Sequence, residues 1–157
     1  MTTDETTHRN RWGFAECNQR VFADMVATLV QRHGQDPQDL FIHALESQAE
    51  PEMNYWVIMA LVQNHSVSAT APIGEDSAGE PVKPLHAAVL MHNPGALAVL
   101  LDLKAYAGGV TDHDIQLAAR MASQHEDQAL LAVLMQHAEA QGALEPFMRA
   151  LQNAPLH

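Results

Sequence analysis

Ten histidines in 157 residues, a single Cys17 and the adjacent pair His113-Asp114 are the side chains with chemistry in reach. Imidazole and carboxylate are ligands for a divalent metal at about 2.0–2.2 Å, and a metal-bound water is a common hydrolytic nucleophile. His113-Asp114, with His86 or His92 upstream and Asp127 downstream, supplies those donor types. The spacing argues against such a centre. There is no His-Glu-x-x-His, no Cys-x-x-Cys and no pair of histidines four residues apart. His113-Asp114 follows the Gly108-Gly109 break, and Thr111 with Asp114 three residues later reads as a capping box that starts a helix. Cys17 has only Arg20 as a basic neighbour at helical spacing and reads as a small buried hydrophobe rather than a nucleophile. Gly108-Gly109 has neither the P-loop lysine nor the Rossmann spacing and reads as a turn.

Three other histidines share a context. His33, His65 and His137 follow Leu29-Val30-Gln31, Leu61-Val62-Gln63 and Leu134-Met135-Gln136. Each is expected at a helix C-terminus, where a cation interacts with the dipole by about 0.3–1 kcal/mol. Trp12, Trp56 and six of the eight methionines fall on apolar stripes and read as core.

The elements that would position these groups are helical. Aromatics are 5% of the chain while Ala, Leu, Met and Gln are plentiful, which favours helix over strand. Residues 1–10 are polar and read as a flexible N-terminal tail; 11–157 read as one helical domain. Apolar residues from Trp12 to Val30 at three- and four-residue steps predict a long helix ending at Gly34. Asp36-Pro37-Gln38-Asp39 then starts a helix, with Asp36 as cap, that carries Phe41, Ala44 and Leu45. Pro51 opens its partner, with Met53, Trp56, Val57, Ala60 and Leu61 inward. Ser66 to Val82 reads as a long exposed loop. Glu126 and Asp127 start a later helix that Gly142 ends, and Pro146 opens a short C-terminal one with Phe147, Met148 and Leu151.

A repeat runs through the middle. A step of 33 carries Leu85 to Ala118, Val89 to Ala122, His92 to His125, Ala96 to Ala129, Leu97 to Leu130 and Leu101 to Leu134. A step of 44 lays the earlier pair on the same pattern, Phe41 on Leu85, Ala44 on Ala88, Met53 on Leu97 and Val57 on Leu101. Such periods mark units that bury their apolar faces only against their neighbours. Pro84-Leu85-His86-Ala87-Ala88, with Leu97, Leu100 and Leu101 on the next helix and Leu130 and Leu134 downstream, resembles the ankyrin repeat, with Lys83 where that family has Thr. The resemblance implies an all-α fold, a short α-solenoid of stacked helix pairs with helical caps at both ends. In that family the Thr hydroxyl and the His ring tie neighbouring turns together, so Lys83 departs from the pattern at that position.

Charge bounds the partners. Eight Lys and Arg against 19 Asp and Glu leave a formal charge of -11. No basic residue lies between Arg32 and Lys83, while Asp36, Asp39, Glu46, Glu50, Glu52, Glu75, Asp76 and Glu80 do. Such a surface repels phosphates and steers basic partners. No apolar run approaches the roughly 18 residues of a membrane span. With one cysteine and no leader pattern, the chain is expected in the cytoplasm. The expected function is a non-catalytic scaffold needing no cofactor: an adaptor, chaperone or toxin-neutralising inhibitor that holds a protein partner with a basic surface and binds neither nucleic acid nor membrane. Two alternatives stand beside it. One is an acidic mimic of nucleic acid that blocks a basic groove. The other is a metal-dependent hydrolase, because His113-Asp114 resembles the ligand pair of the His-Asp phosphohydrolase family.

Overall fold

The computed structural model describes residues 8–103 and 112–152, and these are mostly helical. Among the described residues eight helices occur in chain order: α1 Asn18–Gln31, α2 Pro37–Glu46, α3 Pro51–Asn64, α4 Pro84–Leu90, α5 Pro94–Asp102, α6 Asp112–Gln124, α7 Gln128–Ala140 and α8 Leu144–Gln152. Four successive helices, α2 to α5, open on proline at their first position. Proline costs nothing there, because that N–H has no partner inside the helix and the ring fixes a helical φ. No helix among the described residues is long and apolar enough to cross a membrane.

The helices pack in two rows. α2 packs on α4 and α4 on α6, while α1 packs on α3, α3 on α5 and α5 on α7. Contacts between the sequence neighbours α2 and α3, α4 and α5, and α6 and α7 join the rows, and α8 packs against α6 and α7. Burial follows position. Leu85, Leu97, Leu100, Leu101, Leu130 and Leu134 are all 0–2% exposed, and the central α5 buries seven residues from Gly95 to Leu101. Pro84 and Ala88 are buried beside them.

The turn between paired helices recurs at a step of 34, not 33. The α4–α5 turn places His92 at φ 54°, and the α6–α7 turn places Glu126 at φ 54°. Asn93 N–H donates to Ala88 O and Asp127 N–H to Ala122 O, closing the two helix ends in the same way. Asn93 Oδ1 then caps Ala96 N–H at 3.0 Å, and Asp127 Oδ1 caps Leu130 N–H at 3.1 Å. His92 therefore corresponds to Glu126 rather than His125. The expected overlay of Met53 on Leu97 also slips by one residue. Met53 is 38% exposed, and a step of 43, from Pro51 to Pro94, matches the buried Tyr55, Trp56 and Ile58 to Ala98, Val99 and Leu101. Val57, expected inward, is half-buried. The α3 stripe is wider than expected because α1, α2 and α5 all pack on that helix.

Further expectations are corrected. The first helix begins at Asn18, not Trp12, and residues 8–17 instead fold back on themselves through a bridge between Arg9 and Ala15. Asn10 Oδ1 accepts from the Trp12 and Phe14 amides, so the expected tail boundary at 10 falls inside a turn; residues 1–7 lie outside the described residues. Cys17 is exposed rather than buried. Ser66 to Val82 is not simply an exposed loop. Val67 and Ala69 are buried, and β1 Gly74–Glu75 pairs antiparallel with β2 Pro81–Val82. Asp36 occupies the cap position of α2, but its carboxylate makes no cap bond. The capping box expected at Thr111 lies outside the described residues.

Candidate functional site

The eight acidic residues singled out from the sequence fall into three groups. Asp36 and Asp39 are exposed at the start of α2, and Glu46 and Glu50 are exposed at its end and in the turn to α3. Glu52 is different: it accepts a hydrogen bond from Asn18 Nδ2 at 2.5 Å and so ties α3 to α1. Glu75, Asp76 and Glu80 are exposed on the β1–β2 hairpin, where Asp76 Oδ1 accepts from the Ala78 and Glu80 amides at 2.9 Å each. Asp76 therefore shapes the turn, while six of the eight carboxylates face solvent without such a task.

The residues proposed for metal binding fall into two separate bonded sets. His113 is exposed while Asp114, one position on, is 7% exposed. Asp114 takes Lys83 Nζ at 3.2 Å, and its backbone carbonyl lies 3.3 Å from His86 Nε2. Lys83 thus supplies a link from the start of α4 to α6 where the ankyrin pattern has a hydroxyl. His92 Nδ1 meets Asp127 Oδ2 at 2.6 Å, and the His92 and His125 rings meet edge to face at 5.5 Å. Burial pushes the Asp127 carboxyl up, but the His92 hydrogen bond and the Leu130 amide outweigh it and hold the group below its ordinary value. Among the described residues no group of three or more His, Cys, Asp or Glu is placed to hold a metal ion.

A cluster that the sequence did not suggest lies on the row of second helices. Asp102, at the end of α5, accepts from Arg11 Nε at 3.0 Å and Nη2 at 2.5 Å, from Trp12 Nε1 at 2.8 Å and from the Tyr55 hydroxyl at 2.5 Å. Arg11 Nη2 also lies 3.1 Å from His137 Nδ1 on α7. A guanidinium only donates, so that ring nitrogen accepts and carries no proton. His137 lies in the last turn of α7, as expected, but it is buried, at 5% exposed. Gln136 donates its side-chain amide to Arg11 O, the Arg11 guanidinium stacks 4.2 Å from the centre of the Trp12 ring, and the Phe14 ring packs 5.1 Å from Tyr55. Burial, and then the hydrogen bond to Asp102, raise the Tyr55 phenol above its ordinary value. The segment 8–17 thus spans α3, α5 and α7. The one sequence signal was a carboxylate closing the otherwise apolar run Ala96 to Leu101.

A cavity of about 470 Å³ opens between α6, α7 and α8, walled by Ile115, His137, Ala138 and Phe147, with Gln116 and Gln141 at its polar parts. His137 in its wall also meets Arg11 of the Asp102 cluster. No family model matches the chain, and comparison with curated proteins and with solved structures finds no match either.

Proposed function

We propose that this protein is a non-catalytic protein-binding scaffold, a short ankyrin-like solenoid whose acidic surface receives a partner with a basic face. The architecture is supported by the two helix rows and the turn that recurs at a step of 34, and by Lys83 and His86 both reaching Asp114 on the next unit. The observation that carries the binding reading is that Asp36, Asp39, Glu46, Glu50, Glu75 and Glu80 all face solvent in a span without lysine or arginine. Carboxylates committed to the fold are paired or hydrogen-bonded, as Glu52, Asp102, Asp114 and Asp127 are here. Six left in water raise the on-rate of a basic partner without stabilising the chain.

The test is capture from the native host with wild-type protein and with a variant carrying Glu46→Gln, Glu50→Gln, Glu75→Gln and Glu80→Gln. Circular dichroism checks that both are folded. A protein held by the wild type and lost by the variant supports the reading, whereas equal capture removes the acidic surface from it. Glu52 stays unaltered, because its loss would loosen α1 from α3.

A further inference from the structure

We infer that Tyr55, Asp102 and His137 form a binding site for an arginine next to an aromatic residue, and that the chain's own Arg11-Trp12 occupies it as an intramolecular ligand. The starting point is what holds the segment 8–17 in place. It carries internal bonds of its own: Arg9 Nη1 donates to Gly13 O at 2.6 Å, Asn10 Oδ1 accepts from two amides, and Arg9 pairs with Ala15. Across to the helices it offers mainly Arg11, Trp12 and Phe14, and the two aromatic side chains are only half-buried. A preformed turn attached through so few side chains leaves as a unit more readily than an element embedded in the core.

What it would leave behind defines the ligand. Of the four hydrogen bonds on Asp102, three come from Arg11 and Trp12 and only that from Tyr55 remains. The Asp102 side chain is 20% exposed with the segment in place, and departure costs its carboxylate three of its four protein hydrogen bonds. That cost is avoided when an incoming group restores the charge and the donors. A guanidinium fits, because one arm reaches Asp102 while Nη2 also reaches His137 Nδ1, which accepts only from a donor. Lysine, a point charge, does not span both. The indole N–H on Asp102 and the ring stacked on the guanidinium specify the neighbouring aromatic. Tethering keeps the site closed against weak ligands, since a short linker gives the resident turn an effective concentration near millimolar.

This inference rests on the scaffold reading only for the source of such a peptide, a partner protein; its test uses a defined probe and succeeds or fails by itself. The probe is a fluorescent synthetic peptide of residues 8–17 with Ser in place of Cys17, titrated by anisotropy into the full-length chain. The double variant Arg11→Ala/Trp12→Ala vacates the site and is expected to bind the peptide at least about tenfold more tightly than the wild type, whose own turn competes. Adding Asp102→Asn to that variant, or changing the peptide's arginine to lysine, is expected to weaken binding by about tenfold or more. Absence of binding to a folded double variant, or equal binding to it and to the wild type, overturns the proposal. Should the double variant unfold, the milder Arg11→Gln replaces it under the same criteria; if that also loses the helical fold, segment 8–17 is a structural element and the inference fails. Failure here leaves the acidic surface to its own test.

Discussion

A methyl group on Gly95 would lie 2.2 Å from the carbonyl oxygen of Pro51. The first turns of α5 and α3 touch backbone to backbone there, and only a residue without Cβ permits it. Gly95→Ala is expected to push the two helices apart and to cost about 1–3 kcal/mol or more, as overpacking does. Urea unfolding measures it; a change below about 0.5 kcal/mol would mean that the rows are not packed so closely.

Asn93 links the first pair of helices to the second. Its Nδ2 donates to Ala44 O at 2.8 Å and Leu45 O at 3.0 Å, the loose carbonyls ending α2, while Oδ1 accepts from Asn54 Nδ2 and caps α5. It is 2% exposed, so Asn93→Ala removes a cap, takes from Leu45 O its side-chain donor and leaves Ala44 O with only the long bond from Ser47 N–H at 3.4 Å. A loss of at least about 2 kcal/mol follows, against about 1 for a cap alone. Asp127→Ala at the equivalent position has no carbonyls to strand in this way and is expected to cost less.

The same turn gives a pH dependence. The Asp127 carboxyl is held below its ordinary value of 3.8, so its contribution is fully present above about pH 4 and is lost as pH falls through the lowered value. Asp127→Asn keeps an acceptor for the Leu130 amide and loses the charge that faces His92. Wild type and variant are therefore expected to differ in stability at pH 5 and to converge as the pH falls through the lowered value of the wild-type carboxyl. A constant difference across that range would show that His92 and the cap amides do not act on the carboxylate.

Much of this fold is written locally. Pro37, Pro51, Pro84 and Pro94 each mark the first residue of a helix, and Leu85, Leu97 and Leu101 with their echoes Ala118, Leu130 and Leu134 are all buried. What misled was anything decided at a distance. The step of 33 matched side chains, but the turns superpose at 34 because His92 and Glu126 hold a left-handed φ that neither residue type announces. Trp12 and Phe14 fit a helical stripe, yet the partners that draw them away are Asp102 and Tyr55 far along the chain. His137 looked like its helix-end counterparts His33 and His65 until Arg11 folded back on it. The exposed carboxylates were legible as composition, whereas the separation of Glu52 and Asp76 from the rest needed their partners Asn18 and Ala78.

We propose that the solvent-facing carboxylates between Asp36 and Glu80 steer a basic protein onto this scaffold. Stopped-flow association of the captured partner, followed from roughly 20 to 300 mM salt, tests it most directly, since exposed charges lose their reach as the Debye length shrinks below about 10 Å. The wild-type rate is expected to fall by about tenfold or more across that range. The variant with Glu46, Glu50, Glu75 and Glu80 changed to Gln is expected to start slower and vary little. Equal rates and equal salt slopes for the two proteins would contradict the account.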